Sequence, residues 1–466
     1  MFGLRGKVGD DSTEARCLVE VLMAGKELFE GLPEMAGAKA ERGNGKPRMR
    51  EPERRQVELR SVDLESLLAL DHPARVIWRY VEQLDLGVLE DAIEAREHTP
   101  GQAPACPRLL LALWLYATSQ GVGSARALER LCNSHDAYRW LCGGVSVNYH
   151  GLADFRSGHG ELLDQLLTHN IATLSAAGVI ELAEVVQDGV RVRAGAGASS
   201  FRRQQSLHKH LKKARRLVEH LKREVDEDPD ASNRRIKAAH ERAAREREQR
   251  VSAALGKLAE LEAERERRAK TNKKQVAKQK QPRVSTTDSQ ARVMKMPDGG
   301  FRPAYNCQIG TVAEGQIVVD VAVDTTGSDR GLLRPTLERL RQRYRRLPRR
   351  QLVDGGFHKN DDTEWAAKHG VLVYGPATKS KHKSDPYAPR PKDGPGVAAW
   401  RRRMKSPHGK GVYKRRSMGE CINARFRQWG LRQFTVRGVG KVTTVLLWFA
   451  LANNILAGHR LQRAQA

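Results

Sequence analysis

The sequence predicts an α/β protein: a mixed sheet with flanking helices, interrupted by a helical hairpin and preceded by an all-α domain. Three observations support this fold class. Apolar residues recur at helical spacing through residues 55–180, a heptad-like seam runs through residues 201–282, and apolar runs of strand length lie on both sides of that seam. Strands that then alternate with helices are typical of an α/β sheet.

The N-terminal part divides into two predicted regions. Residues 1–54 mix glycine and charge, and we expect them to be disordered or to precede the native start, for which Met49 is a candidate. Residues 55–180 carry dense apolar segments such as PRLLLALWLYATSQG, and Ser124 is expected to cap one of their helices. They predict an all-α domain, which is either a DNA-binding module of the helix-turn-helix kind or a purely structural bundle.

A coiled-coil-like helical hairpin is predicted for residues 201–282. Its first helix should end at Pro229, within the polar segment DEDPDASN. The outer faces are rich in arginine, lysine and glutamate, and they are either solvated surfaces or an arm that contacts DNA or a partner chain. The seam residues are Leu207, Leu211, Ala214, Val218, Leu221 and Val225 in the first helix and Val251, Ala254, Leu258 and Leu261 in the second.

Residues 181–200 and 283–460 are predicted to form the domain built around the sheet. Strands are expected in VVQDGVRV, YNCQIGTV, GQIVVDVAVD, QLVDGGF and GVLVYGPA, with a helix in GLLRPTLERLRQRYRR. Residues 379–411 are rich in proline and lysine and are expected to form a long mobile loop. The apolar run 442–458 is too short for a membrane span and predicts a buried helix.

The net charge of the chain limits the kinds of partner that it can bind. Lysine and arginine number 82 against 55 aspartate and glutamate residues, a formal net charge of +27. Such an excess favours nucleic acid, an anionic membrane or acidic proteins as partners, and the alternative interpretation is a basic surface that only keeps the protein soluble. The N-terminal residues lack the apolar core of a signal peptide, which predicts a cytoplasmic protein. The scattered cysteines show no C-x-x-C spacing and indicate neither a zinc site nor a disulfide framework.

Two aspartates belong to strand-forming runs and precede glycine: Asp188 lies inside the run VVQDGVRV, and Asp354 lies at the C-terminal end of the apolar run in QLVDGGF. Ligand sites of open α/β sheets lie beyond the carboxyl ends of strands, and an aspartate there suits metal coordination. The alternative interpretation of each is an ordinary Asp-Gly turn.

A third acid, Glu420, lies among arginines in VYKRRSMGECINARFRQWGLRQ. On a single helix Tyr413, Arg416, Glu420 and Arg427 would share one face, although a solvated helix with an Arg416–Glu420 pair fits the same spacing. Together with the two aspartates, these groups suit phosphoryl transfer. Two divalent cations clamp the attacking and leaving oxygens of such a reaction, carboxylates hold the cations, and guanidinium groups hold phosphate oxygens.

The spacing Y-x2-R-x3-E-x6-[K/R] from Tyr413 to Arg427 resembles the C-terminal signature of bacterial insertion-sequence transposases of the DDE type. VVQDGVRVRA and QLVDGGFHKND resemble the strands that carry the two aspartates of that family, and RPAYNCQIGTVAEGQIVVDVAV resembles the hairpin between them. The likeness covers about residues 55–458 and is specific because several motifs occur in one order. Arg427 stands where lysine is typical.

The resemblance implies a ribonuclease H-like catalytic domain that cleaves the ends of an insertion sequence and joins them to target DNA. It implies two Mg²⁺ ions, for which Mn²⁺ would substitute, and a homodimer on double-stranded DNA with no membrane contact. The implied catalytic and metal-binding residues are Asp188, Asp354 and Glu420. The implied DNA contacts are Tyr413, Arg416 and Arg427.

Other acids and other functions stay open at this point. Asp361 and Asp362 are expected at the start of a helix, where acids are favoured for structural reasons. The rival acids are Asp288, Asp320, Asp324, Asp361 and Asp362. The alternative functions are a ribonuclease H-like nuclease without strand transfer and a non-catalytic basic protein that binds DNA architecturally.

Overall fold

The computed structural model describes residues 63–95, 103–227, 231–271, 281–377 and 385–465, without the side chains of residues 224–235 and 271. The predictions for residues 1–54 and for a helix break at Pro229 lie outside the described residues. Within them the predicted fold class is confirmed, since a curled mixed sheet is surrounded by helices.

Short helices precede the sheet. They are α1 (Pro73–Glu82), α2 (Gly87–Asp91), α3 (Pro107–Ser119), α4 (Ala125–Ser134), α5 (Asp136–Cys142), α6 (Tyr149–Gly158) and α7 (Gly160–Ala176). The apolar segment α3 is buried along almost its whole length. The predicted cap of α4 is confirmed, because the Ser124 hydroxyl accepts the Ala127 N–H at 3.4 Å.

The strands form one mixed sheet and a small ribbon. In chain order they are β1 (Glu184–Arg193), β2 (Phe201–Arg202), β3 (Val284–Ser285), β4 (Arg292–Lys295), β5 (Phe301–Val312), β6 (Ile317–Asp324), β7 (Arg350–Val353) and β8 (Leu372–Tyr374). The order across the sheet is β4-β5-β1-β7-β8, with β6 paired to β5. Because β1 runs antiparallel to β5 and parallel to β7, it is a central strand paired on both sides.

The predicted hairpin consists of α8 (Gln204–Glu227) and α9 (Ala231–Thr271), which pack against each other above the β2–β3 ribbon. Leu207, Ala214 and Val218 of α8 are buried along the predicted seam. Residues Val251, Ala254, Leu258 and Leu261 are buried along that of α9. The outer surface of α9 carries ion pairs between residues four apart, such as Arg268 with Glu264 at 2.5 Å, which add little stability.

The helices after β6 are α10 (Leu333–Tyr344), α11 (Asn360–Lys368), α12 (Pro395–Lys405), α13 (Pro407–Lys414), α14 (Ser417–Gln428) and α15 (Val439–Gln465). The prediction of a long loop over residues 379–411 is therefore wrong from residue 395 onward. Pro395 and Pro407 each stand at the start of a helix, where proline is favoured, rather than interrupting one. Val397, Trp400 and Met404 are buried at helical spacing.

The C-terminal helix α15 connects the sheet to the N-terminal helices. It contacts β6, α1, α3 and α7, and the Asn454 side chain exchanges two hydrogen bonds, of 2.8 and 2.7 Å, with the backbone of Val318. By length and composition α15 passes for a membrane span, but 72% of its most apolar window is buried in the protein. The predicted buried helix is confirmed.

The N-terminal helices and the sheet share a hydrophobic core, to which Leu113 of α3 and Val190 of β1 both belong. The predicted domain boundaries stay a prediction.

Candidate active site

Two neighbouring strands bring Asp188, in the middle of β1, and Asp354, directly after the end of β7, together. The parallel pair β1–β7 aligns Gln187 with Val353, and each aspartate is the next residue along the chain. Adjacent strands lie about 4.8 Å apart, so the two backbones are direct neighbours. The Asp188 side chain is 18% exposed, whereas Asp354 is an exposed residue. Asp354 also caps the short turn Gly355–Phe357 by accepting the N–H of Gly355.

Helix α14 brings Glu420 to the same place, because it packs against β1 and β5. The contact depends on Gly419, where a Cβ would be 2.7 Å from Cγ1 of Val186 and 3.7 Å from Cβ of Asp188. Val186 is fully buried, so a Cβ at position 419 would force the helix or the Val186 side chain to shift. Glu420, the next residue, therefore begins beside Asp188, and its side chain is 57% exposed.

Replacing Gly419 with alanine is expected to push α14 away from β1 and to cost about 1–3 kcal/mol of unfolding free energy. Glu420 should move away from Asp188 as well, because it moves with the helix. The matched control is Gly411→Ala in α13, whose Cβ would meet nothing within 4 Å. Urea denaturation measures the loss of stability, and an unchanged midpoint for Gly419→Ala would contradict the packing argument.

A single guanidinium, that of Arg416, bridges two of the three carboxylates. It lies 3.8 Å from Oδ1 of Asp188 and pairs with Glu420. Burial raises the pKa of Asp188 above its ordinary value, and the neighbouring charges of Asp354 and Glu420 add to the increase. Arg416 and the N–H of Gly189 act in the opposite direction. Arg416 thus offsets part of the repulsion among the three acids.

The carboxylates of Asp188, Asp354 and Glu420 are ligands of the type that binds a hard divalent cation. In the part of the chain that the structure describes, no three His, Cys, Asp or Glu side chains stand close enough together to hold a metal ion as placed. Carboxylate oxygens are nevertheless the donors that Mg²⁺ prefers, and Arg416 already marks a position where positive charge is stabilised between Asp188 and Glu420.

The prediction that the four signature residues share one helix is wrong. The helix is interrupted before Ser417, whose hydroxyl bonds to the backbone carbonyl three residues earlier at 3.1 Å and competes with helical pairing. Tyr413 therefore lies in α13, whereas Glu420 lies in the first turn of α14. The residues still meet, because the Arg416 guanidinium lies 6.0 Å from the Tyr413 ring centroid. Arg427 is exposed in the last turn of α14.

One residue of the site was missed by sequence analysis. The side-chain amide of Asn423 donates to Oδ2 of Asp188 at 2.7 Å. Asn423 follows Glu420 by three residues, so both project from the same side of α14. That spacing was the available signal, but an asparagine in a basic helix has no distinctive pattern of its own.

The rival acids have other partners. Asp288 is buried and accepts the hydroxyl of Tyr305 at 2.7 and 2.8 Å. Asp320 is buried in an ion pair with Arg339. Asp324 accepts the backbone N–H of Thr326, and Asp361 and Asp362 lie in the first turn of α11 near Lys359.

Comparison with protein families agrees with this architecture. Residues 269–455 match the model of a transposase DDE domain, and residues 62–158 match that of a second transposase domain, DUF772. The first match contains Asp354 and Glu420 and begins after Asp188. No curated protein and no solved structure matches the chain.

The match at residues 62–158 falls in the helical region, and the match at residues 269–455 falls in the ribonuclease H-like part with the mixed sheet. The chain belongs to the DDE-type transposases of insertion sequences. As a member of that class it is a DNA-acting enzyme, and divalent metals are general to the class.

Proposed function

We propose that this protein cleaves the ends of an insertion sequence and joins them to target DNA by phosphoryl transfer, with Asp188, Asp354 and Glu420 as the catalytic acids. The observation that supports this proposal is their convergence. Two aspartates follow the paired residues Gln187 and Val353 of adjacent parallel strands, and the helix that carries Glu420 packs on the first of those strands through Gly419.

The proposed cofactor is a pair of Mg²⁺ ions, for which Mn²⁺ substitutes, held by the three carboxylates. When bound, these ions supply Lewis acidity to the attacking and leaving oxygens of the phosphodiester. Arg416 lies between two of the acids and is free to turn toward a phosphate oxygen once they hold a cation. The Tyr413 hydroxyl and Arg427 are proposed to contact the DNA backbone on the same side.

The proposed partners are the terminal inverted repeats of the element and a target duplex. Because each active site processes one end, joining both ends requires at least a dimer assembled on DNA. The net charge of +27 supports binding to a polyanion. We propose the cytoplasm, at the nucleoid, as the place of action.

Incubating the purified protein with plasmid DNA that carries the ends of its own element, in Mg²⁺, is expected to give cuts at the element boundaries and products joined to target DNA. Sequencing across the cuts and the junctions measures both steps. Cuts without junctions would favour a ribonuclease H-like nuclease that lacks strand transfer. Tight binding that leaves supercoiled DNA intact in both Mg²⁺ and Mn²⁺ would favour the architectural alternative.

A further inference from the structure

We propose that Asn423 is a positioning residue that holds the Asp188 carboxylate in its metal-binding orientation. The inference rests on the proposed function of Asp188 and adds a residue that neither the DDE acids nor the signature arginines include. Its basis is one short hydrogen bond and one buried atom without a partner.

The contacts of Asp188 divide between its two oxygens. Oδ1 accepts the backbone N–H of Gly189 at 3.0 Å and lies 3.8 Å from Arg416, while Oδ2 accepts the Asn423 amide at 2.7 Å. The Asn423 contact is thus the short side-chain bond that fixes the second oxygen. Without it, rotation about the last side-chain bond of Asp188 would be limited mainly by the Gly189 N–H.

The orientation of the Asn423 amide is set by this carboxylate. Its nitrogen must face Oδ2 of Asp188, because the reverse orientation would bring two acceptor oxygens together. The amide oxygen is then buried and has no hydrogen-bond partner among the described residues. A buried acceptor without a partner destabilises a protein, so an apolar residue of similar size would serve the fold better. This cost argues that Asn423 is present for its N–H group.

The helix explains how Asn423 acts on the site. Asn423 lies one turn after Glu420, and α14 is anchored on β1 through Gly419. Helix α14 thus positions Glu420 and, through Asn423, also holds the Asp188 carboxylate. Groups that orient metal ligands in this way change metal affinity or activity by about 10–100-fold when removed.

The test compares Asn423→Leu with Gln428→Leu, which removes an exposed amide from the same helix. Mn²⁺ binding is measured by titration calorimetry without DNA, and thermal unfolding is measured without metal. Asn423→Leu is expected to weaken Mn²⁺ binding by about 10–100-fold. Its unfolding temperature should change little, because the substitution removes the unpartnered amide oxygen together with the hydrogen bond to Asp188. Gln428→Leu is expected to match the wild-type protein in Mn²⁺ affinity.

Three results separate the possibilities. Wild-type Mn²⁺ affinity in Asn423→Leu would overturn the inference and leave the proposed function intact. A lowered unfolding temperature with unchanged affinity would show a structural role only and would also overturn it. A wild-type protein that neither binds Mn²⁺ nor cuts DNA would contradict the proposed function itself, and the inference would fall with it.

Discussion

Replacing Asp354 with asparagine is expected to reduce Mg²⁺-dependent cleavage of the element ends by at least about a thousandfold, with end binding largely retained. An amide carries no charge and is a weak ligand for a hard cation, so the site would lose one of its three carboxylates. Because Asp354 is exposed at the end of β7, the fold should tolerate the change. Nicking of supercoiled plasmid and gel-shift binding to the end sequence measure the two properties.

The matched control is Asp361→Asn, which neutralises an exposed aspartate in the first turn of α11, seven positions further along the chain. It changes the net charge by the same amount and should leave cleavage within a few-fold of the wild-type rate. Full cleavage by the Asp354 variant would mean that the catalytic acids have been wrongly assigned.

The largest expected effect on stability comes from Arg339→Ala in α10. The Arg339 guanidinium contacts the Asp320 carboxylate three times, at 2.6, 3.1 and 3.1 Å, and bonds to the Thr336 hydroxyl at 2.9 Å. Only 1% of the Asp320 side chain is exposed, so removal of its partner leaves a buried charge uncompensated. We expect a loss of about 3–5 kcal/mol in unfolding free energy, measured by urea denaturation.

Arg341→Ala provides the comparison, since it removes an exposed arginine two residues away on the same helix. Its effect should stay within about 0.5 kcal/mol. Equal midpoints for the two variants would show that solvent or a nearby group compensates Asp320 and that the pair contributes little.

Elements with a strong local signal could be predicted from the sequence. The strand that carries Asp188 and the seam of the hairpin, with Leu207 and Val251, follow apolar periodicities that few other structures satisfy. The strand-end position of Asp354 followed from the same pattern. Each of these segments shows its burial pattern in its own run of residues, whatever element later covers it.

Features that depend on distant partners could not be predicted in the same way. Helix α12 was missed because the prolines and lysines of residues 379–411 predicted a loop, although Trp400 is buried. The break between Lys414 and Ser417 has no distinctive sequence signal. The bond from Asn423 to Asp188 joins residues 235 positions apart and exists only once α14 lies on β1. The common core of Leu113 and Val190 likewise belongs to the assembled fold.

The base of the hairpin has a consequence for how such proteins diversify. Phe201 pairs with Ser285, and the hydroxyls of Ser200 and Ser285 are 2.7 Å apart, so the chain leaves and re-enters at a single point. An inserted segment whose two ends pair in this way can be replaced as a unit. During evolution the hairpin can become longer or shorter, or be replaced by another insertion, without shifting the pairing of β1 with β5.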